Sequence, residues 1–236
     1  TQVKALEQLN QLKDDFLNTV SHELRTPVSN MRMSIRMLEI VLNQSHRDYP
    51  ALQKTNQYLQ ILKAECEREI SLINDMLDLQ RLELGKQDLV IEAINVATWL
   101  PAFVKPFQER MNARQQTLAI ELPDRPLPPL VSDVSVLERI LAELLNNACK
   151  YTPPQEKISI RAEALPETFQ LIVKNSGVEI PSDEIPRIFD KFYRIPNADP
   201  WKQGGTGLGL ALTQKLVLQL KGTIDVVSQA GETVFV

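Results

Sequence analysis

Residues 133–151 read DVSVLERILAELLNNACKY and predict a long amphipathic helix in the second half of the chain. Asp133 is a favourable N-cap residue, and the apolar positions after it recur every three or four residues. These apolar positions are Leu137, Ile140, Leu141, Leu144, Leu145 and Ala148. A helix with one apolar face needs a partner surface to cover it. We therefore expect a core built around a helix that begins at about Ser132 or Asp133 and ends at Lys150.

Runs typical of strands and further helices lie on both sides of this helix. The predicted strands are 89–96, 118–122, 157–164, 169–174, 223–227 and 233–236, and the other predicted helices are 98–114 and 208–220. A loop is predicted over 123–129, and proline and glycine interrupt this half at short intervals. The pattern predicts an α/β sandwich for residues 87–236.

The first half of the chain has a different character, because no glycine occurs before Gly85. Apolar residues recur at helical spacing on both sides of a polar turn at 43–50. They are Leu12, Phe16, Val20, Leu24, Met31, Ile35, Leu38 and Leu42, and then Leu59, Leu62, Cys66, Ile70, Ile73 and Leu77. Two long helices cannot bury both stripes against each other alone. The pattern predicts an antiparallel hairpin over 1–86 that pairs with a second copy in a four-helix bundle, and hence a homodimer.

Composition excludes several classes of protein. Hydrophobic residues make up 43% of the 236 residues and charged residues 24%, which is typical of a globular chain. The net charge of -4 argues against a general nucleic-acid binder. No apolar run reaches the roughly 18–20 residues that span a bilayer, so we expect no membrane segment and a cytoplasmic location for this part. Cys66 and Cys149 are too far apart to suggest a disulfide framework. The chain lacks a start methionine and a signal peptide, so we expect a piece of a longer protein.

One of the two histidines has suggestive neighbours. Residues 16–27 read FLNTVSHELRTP, with His22 followed by Glu23 and with Thr26 one helical turn away. A nucleophilic imidazole is one interpretation, with Glu23 accepting or orienting its ring proton. The alternative is a surface histidine near a kink caused by Pro27.

Three features of the second half have the chemistry of a phosphate site. Glu143 and Asn147 lie at i and i+4 and offer two oxygen ligands to Mg²⁺, and Lys150 follows one turn later. The alternative is a solvated helix face. Residues 204–210, GGTGLGL, lead into a helix and allow close approach of phosphate. They lack the Lys-Ser/Thr of a P-loop, so a structural loop is the alternative. Residues 175–181, NSGVEIP, predict a loop after a strand.

Together these segments resemble sensor histidine kinases of two-component systems. Residues 16–27 resemble the phosphoacceptor box and residues 143–151 the N box of that family. Residues 187–194, RIFDKFYR, resemble its Phe-rich box, and residues 204–210 resemble its second glycine box. The resemblance covers almost the whole chain. It implies a dimerisation and phosphotransfer hairpin followed by an ATP-binding domain of the Bergerat α/β sandwich type.

The resemblance also implies a role for individual residues. His22 would accept the γ-phosphoryl group of ATP, and Glu23 would act as base or orienter. Thr26 would position water for dephosphorylation of the bound regulator. Asn147, with Glu143, would hold Mg²⁺. The residues implied to bind the nucleotide are Asn147, Lys150, Tyr151, Asn175, Gly177, Tyr193, Arg194, Gly205, Thr206, Gly207, Leu208 and Gly209.

The resemblance further implies a mobile ATP lid over 190–204, with Phe189 and Phe192 as its hydrophobic hinge. The style of 175–181 and of 199–204 resembles cyanobacterial members of the family.

Three positions depart from the family pattern. Asn175 stands where the family has an adenine-reading Asp, Glu179 stands where it has a Gly, and Glu143 stands where Asn is common. An asparagine amide is still able to accept from adenine N6–H and donate to N1.

These departures leave three functions to compare. The leading hypothesis is a kinase that autophosphorylates His22 and transfers the phosphoryl group to an Asp on the receiver domain of a response regulator. The alternatives are a degenerate kinase that serves as a dimeric docking module, and an ATPase that uses Glu143 as a base on water.

Overall fold

The structure is a computed structural model that describes residues 27–40, 49–83, 89–196 and 205–236. The chain divides into two compact units, Thr1–Leu77 and Asp78–Val236. The domain boundary predicted between residues 86 and 87 lies outside the described residues and stays a prediction. Within the described ranges, no helix combines the length and the apolar character needed to cross a membrane.

In the described part of the first unit, two helices lie side by side. Helix α1 is described over residues 27–40, and helix α2 spans Tyr49–Glu83 and ends in the second unit. The Asn30 side chain donates to Glu65 Oε1 at 3.2 Å, and the Cys66 thiol lies 3.2 Å from the sulfur of Met31. These contacts join the two helices at one level and confirm the predicted helical hairpin.

Much of the apolar stripe on this hairpin is uncovered within one chain. Ile35 and Leu59 are each 50% exposed, and Ile70, Ile73 and Leu77 are between 45% and 59% exposed. Ile70, Ile73 and Leu77 are three and four residues apart, so they share one face of α2. One hairpin therefore leaves apolar surface in contact with water, as the sequence predicts.

The second unit is a sheet covered by helices. Its strands are β1 (Glu92–Ile94), β2 (Thr117–Glu121), β3 (Leu130–Ser132), β4 (Lys157–Ala164), β5 (Phe169–Ser176), β6 (Val226–Gln229) and β7 (Glu232–Phe235). Its helices are α3 (Val96–Ala113), α4 (Val134–Tyr151), α5 (Gly209–Gln219) and a 3-10 turn at Ile185–Arg187. Five strands form one sheet in the order β2-β4-β5-β7-β6, with β2 parallel to β4 and the other pairs antiparallel. β1 and β3 form a separate antiparallel pair.

Helix α4 packs its predicted face into the core. All six predicted apolar positions, from Leu137 to Ala148, are buried. On β4, alternate residues such as Ile158 and Ile160 are fully buried, which gives the sheet one apolar face. The carboxylate of Asp133 accepts the N–H groups of Ser135 and Val136 and caps α4. The predicted α/β sandwich is therefore confirmed.

Several predicted boundaries are wrong, for local reasons. The strand predicted over 89–96 is shorter, because Asn95 is the N-cap of α3 and its carbonyl accepts the Thr98 and Trp99 N–H groups. Strand β3 was not predicted, because its partner β1 is distant in the sequence. Strand β6 begins later than the predicted 223–227, since its register follows the turn to β7. Strand β5 runs to Ser176, so Asn175 lies in a strand and not in a loop.

Candidate functional site

One face of α4 meets the glycine-rich segment at the start of α5. A methyl group at position 209 would lie 2.5 Å from Glu143 Oε2, and one at 205 would lie 3.0 Å from Lys150 Nζ. Glu143 and Lys150 are two helical turns apart, and Asn147 lies between them on the same face. The structure thus brings the ends of the Glu143 and Lys150 side chains to the glycine segment, and a side chain at 205 or 209 would have to displace them.

Glu143 is mostly buried on this face of α4, and burial shifts its pKa. Its side chain is 16% exposed, and Arg139 Nη2 lies 3.5 Å from its Oε1. Burial raises the pKa of the Glu143 carboxyl above its usual value, and the charge of Arg139 acts in the opposite direction. Sequence reasoning missed Arg139, although it stands at i-4 from Glu143 and such pairs meet on a helix.

The backbone at the start of α5 has a conformation that favours glycine and is held by hydrogen bonds. Gly207 has a φ of +70°, and its carbonyl accepts the Phe192 N–H at 2.9 Å. A side chain at 207 would meet the Phe192 backbone at 2.6 Å. The Thr213 hydroxyl, buried in α5, donates to the Gly209 carbonyl at 2.8 Å. The sequence analysis did not identify Thr213 as a residue that supports this turn, although it lies at i+4 from Gly209 in the predicted helix.

No side chain caps the first turn of α5 at its N-cap residue, Leu208. The Leu208 N–H donates to the Thr206 hydroxyl at 3.3 Å. The N–H groups of a helix's first turn have no partner within the helix and form a favourable place for an anion. Thr206 and Leu208 therefore shape the turn, while the helix that follows presents backbone donors beside Glu143.

Lys150 and Tyr151 interact at the end of α4. Lys150 Nζ donates to the Tyr151 hydroxyl at 2.9 Å and lies 4.4 Å from the centre of its ring. The cation–π contact holds the ammonium group beside Gly205. This places one positive charge at the opposite end of the helix face from Glu143.

Asn175 lies at the end of β5, buried and paired in register with Ile158 and Thr233. The following glycine, Gly177, has a φ of +77° and donates its N–H to the Gly231 carbonyl at 2.8 Å. Any side chain at 177 would lie within 3 Å of the Glu156 side chain.

Glu156 was not predicted as part of the site. Its carboxylate accepts the Ser176 hydroxyl at 2.6 Å, and Ser176 Oγ in turn accepts the Lys157 N–H at 2.9 Å. Residues 176 and 177 are thus held against the loop that follows α4.

Glu179, which stands where the family pattern has a glycine, accepts a hydrogen bond from the backbone. Its carboxylate accepts the Gly231 N–H at 3.1 Å, in the turn between β6 and β7. The neighbouring backbone is fixed to the same hairpin, because Thr233 Oγ1 donates to the Val178 carbonyl and the Ile180 N–H donates to Ser228 Oγ. The change from Gly to Glu therefore adds an attachment to the sheet.

Tyr193 is held by residues that precede it. Its hydroxyl donates to the Glu184 carboxylate, and the Arg187 guanidinium lies 4.1 Å from the centre of its ring. The hydrogen bond to Glu184 raises the pKa of Tyr193. Arg194, the next residue, is exposed. The structure joins Tyr193 to the 3-10 turn, and Glu184 was not foreseen from the sequence.

Part of the predicted site lies outside the described residues. This applies to His22, Glu23 and Thr26, and to residues 197–204 of the predicted lid. Their roles stay predictions that rest on the sequence.

Comparison with known families assigns both halves of the chain. Residues 12–85 match the His Kinase A (phospho-acceptor) domain. Residues 132–236 match the histidine kinase-, DNA gyrase B- and HSP90-like ATPase family. The second match includes α4, the end of β5 and the glycine segment.

Three curated relatives match nearly the full chain. The non-motile and phage-resistance protein of Caulobacter vibrioides is 31% identical over 98% of this chain and 27% of its own length. The alginate biosynthesis sensor protein KinB of Pseudomonas aeruginosa is 31% identical over 98% of this chain and 37% of its own length. The circadian input-output histidine kinase CikA of Synechococcus elongatus is 32% identical over 94% of this chain and 29% of its own length. The chain thus spans well under half of each relative.

Solved structures share the fold. Histidine kinase ThkA in complex with the response regulator protein TrrA aligns with a TM-score of 0.72 at 22% identity, over 97% of this chain and 61% of that chain. Histidine kinase AdeS of Acinetobacter baumannii aligns with a TM-score of 0.66 at 22% identity, over 91% of this chain and 94% of that chain. The order of the two domains, the sandwich fold and the similarity to sensor kinases over nearly all of this chain agree, and the chain belongs to the protein histidine kinases.

Proposed function

We propose that this chain is the kinase region of an ATP-dependent sensor protein, which autophosphorylates His22 and passes the phosphoryl group to an Asp on the receiver domain of a response regulator. The observation that carries the proposal is the convergence of Glu143 and Lys150 on the glycine segment at the start of α5. An oxygen ligand at one end of this segment, a cation at the other and the first-turn N–H groups of α5 support the binding of a nucleoside triphosphate along it.

The residues fit ATP with Mg²⁺. Magnesium in nucleotide sites is bound by one or two protein oxygen ligands together with phosphate oxygens. Glu143 and Asn147, one turn apart, supply such a pair, and the ammonium of Lys150 is available to phosphate charge. When bound, the metal would neutralise charge on the phosphates. Asn175, at the end of β5, is the proposed contact to the adenine edge.

In the proposed reaction, a ring nitrogen of His22 attacks the γ-phosphorus, the bond to the β-phosphate oxygen breaks, and ADP leaves. Glu23, next in the sequence, takes up the imidazole proton or orients the ring. Phosphoryl transfer depends mainly on alignment and on neutralisation of charge. The nucleotide site and His22 belong to different family domains, so the two domains must meet for transfer.

A homodimer and a response regulator are the proposed partners. The exposed apolar face of α2, formed by Ile70, Ile73 and Leu77, supports pairing with a second copy. The similarity to ThkA, whose structure is in complex with a response regulator protein, supports the second partner. Thr26, within His-Glu-x-x-Thr, is proposed to position water when the phosphorylated regulator is dephosphorylated. The cytoplasmic location stays a prediction. The cyanobacterial character also stays a prediction, since CikA is one relative among several from other bacteria.

Incubation with γ-labelled ATP and Mg²⁺ tests this function. We expect acid-labile, base-stable label on the protein, full loss of label in His22→Gln, and normal label in the control His46→Gln. Free phosphate without labelled protein would favour the ATPase that uses Glu143. No nucleotide binding at all would favour the degenerate docking module and overturn the proposal.

A further inference from the structure

The carboxylate of Glu143 lies against the N-terminus of α5. A methyl group on Gly209 would be only 2.5 Å from Glu143 Oε2 and 3.5 Å from its Cδ. Gly209 is the first residue of α5, and the N-cap residue before it, Leu208, has no side chain that caps the helix. The carboxylate therefore stands beside the positive end of a helix, where a negative charge is stabilised.

The phosphates of a nucleotide would need the same place. In the proposed site, the first turn of α5 and the Lys150 ammonium are the groups that attract phosphate charge. Arg139 offsets part of the Glu143 charge, at 3.5 Å from Oε1. A free triphosphate that approaches the helix must still come close to a carboxylate, and two negative charges a few ångströms apart repel strongly in a partly buried site.

A divalent cation removes this conflict. Mg²⁺ binds carboxylate and phosphate oxygens at the same time, so a carboxylate that repels free ATP becomes a partner of the metal complex. An Asn at position 143 would offer an oxygen without the charge and would be one methylene shorter. The length of Glu143 and the absence of a side chain at Gly209 together bring the charge to the helix end.

We infer that Glu143 is a specificity-determining residue that makes the site select the metal complex of a nucleoside triphosphate over the free nucleotide. The inference rests on the proposed function, since it assumes a nucleotide at the start of α5. It assigns to Glu143 the discrimination between the metal-bound and the metal-free nucleotide.

The test measures the dissociation constant of a fluorescent ATP analogue with excess Mg²⁺ and with EDTA. In Glu143→Gln we expect the metal-free dissociation constant to fall about tenfold, because one repulsive charge is gone. The affinity with Mg²⁺ should stay equal or weaken, so the ratio between the two conditions should shrink. Glu163→Gln is the matched control, because Glu163 is also a partly buried carboxylate paired with an arginine, and its removal from β4 should leave the ratio unchanged.

The outcomes separate this inference from the proposed function. If the wild type binds the analogue and Glu143→Gln binds it no better in EDTA, the inference is wrong while the nucleotide site stands. If the wild type binds the analogue in neither condition, the proposed function fails. Thermal unfolding without nucleotide establishes that Glu143→Gln is folded. Glu143→Asn is the second variant, and it should give the same shift in the metal-free affinity.

Discussion

At the scale of single residues, Asn175 departs from the family's adenine-reading Asp and is at the same time buried in the sheet. It is 4% exposed at the end of β5. If its amide pairs with adenine, Asn175→Ala leaves a polar partner without a hydrogen bond, and ATP affinity should fall by about 1–3 kcal/mol. Titration with ATP and Mg²⁺ measures the loss. Asn175→Asp, which keeps an acceptor for adenine N6–H, should bind ATP well, and an unchanged affinity in Asn175→Ala would mean that adenine is bound elsewhere.

Two glycines with similar φ angles predict different losses of stability. Gly207 and Gly231 have φ angles of +70° and +76°. A methyl group at 231 would meet nothing within 4 Å, whereas one at 207 would meet the Phe192 backbone at 2.6 Å. Gly231→Ala should cost only the left-handed strain of about 1–2 kcal/mol. Gly207→Ala should lose about 1–3 kcal/mol more, because the backbone has to move. Urea unfolding at one pH compares them, and equal losses would contradict the steric argument.

At the scale of elements, the capping of α4 predicts a pH dependence of stability. Burial raises the pKa of Asp133, but hydrogen bonds from the side chain of Ser135 and from the N–H groups of Val90, Val136 and Ser135 outweigh it, so the pKa lies below its usual value. A carboxyl with a lowered folded-state pKa stabilises the fold above its unfolded-state pKa, and this stabilisation is lost as pH falls through the folded-state pKa. The cap should therefore contribute fully at neutral pH and little in strong acid.

Asp133→Ala measures this contribution. Its unfolding free energy should be about 1–2 kcal/mol below that of the wild type at neutral pH, as for other lost caps. The difference should shrink below the unfolded-state pKa of about 4. Asp133→Asn keeps one acceptor oxygen and should lose less at neutral pH. A difference between Asp133→Ala and the wild type that does not change with pH would contradict the assigned role of the carboxylate.

At the scale of the whole molecule, the exposed face of α2 predicts association through the helical unit. Ile70, Ile73 and Leu77 lie on that face and are all nearly half exposed or more. Replacing both Ile70 and Ile73 with Asn should raise the dimer dissociation constant by about tenfold or more, since it removes two aliphatic side chains per chain that pairing would bury. Sedimentation equilibrium measures the change. Val227→Asn, at an equally exposed position on β6, is the control and should leave the dimer intact. If the double replacement of Ile70 and Ile73 leaves the dimer unaffected, another surface pairs the chains.

The sequence alone was sufficient for features that depend on neighbours along the chain. The helix after Asp133, its six buried apolar positions and the helical hairpin follow from periodicity and capping, which act over a few residues. The order of the motifs was sufficient for the family. Boundaries were less well predicted where one residue decides them, as at Asn95 before α3.

The tertiary structure alone decided which distant groups meet. Strand β3 exists because it pairs with β1, and the partner of Glu179 is a backbone N–H 52 residues away. The close approach of Glu143 to Gly209 depends on how α4 and α5 pack, and nothing in either segment by itself encodes it. Such contacts form only when the order of strands and the packing of helices bring separate stretches together, because the energy of a hydrogen bond or an ion pair depends on distances that local sequence does not set.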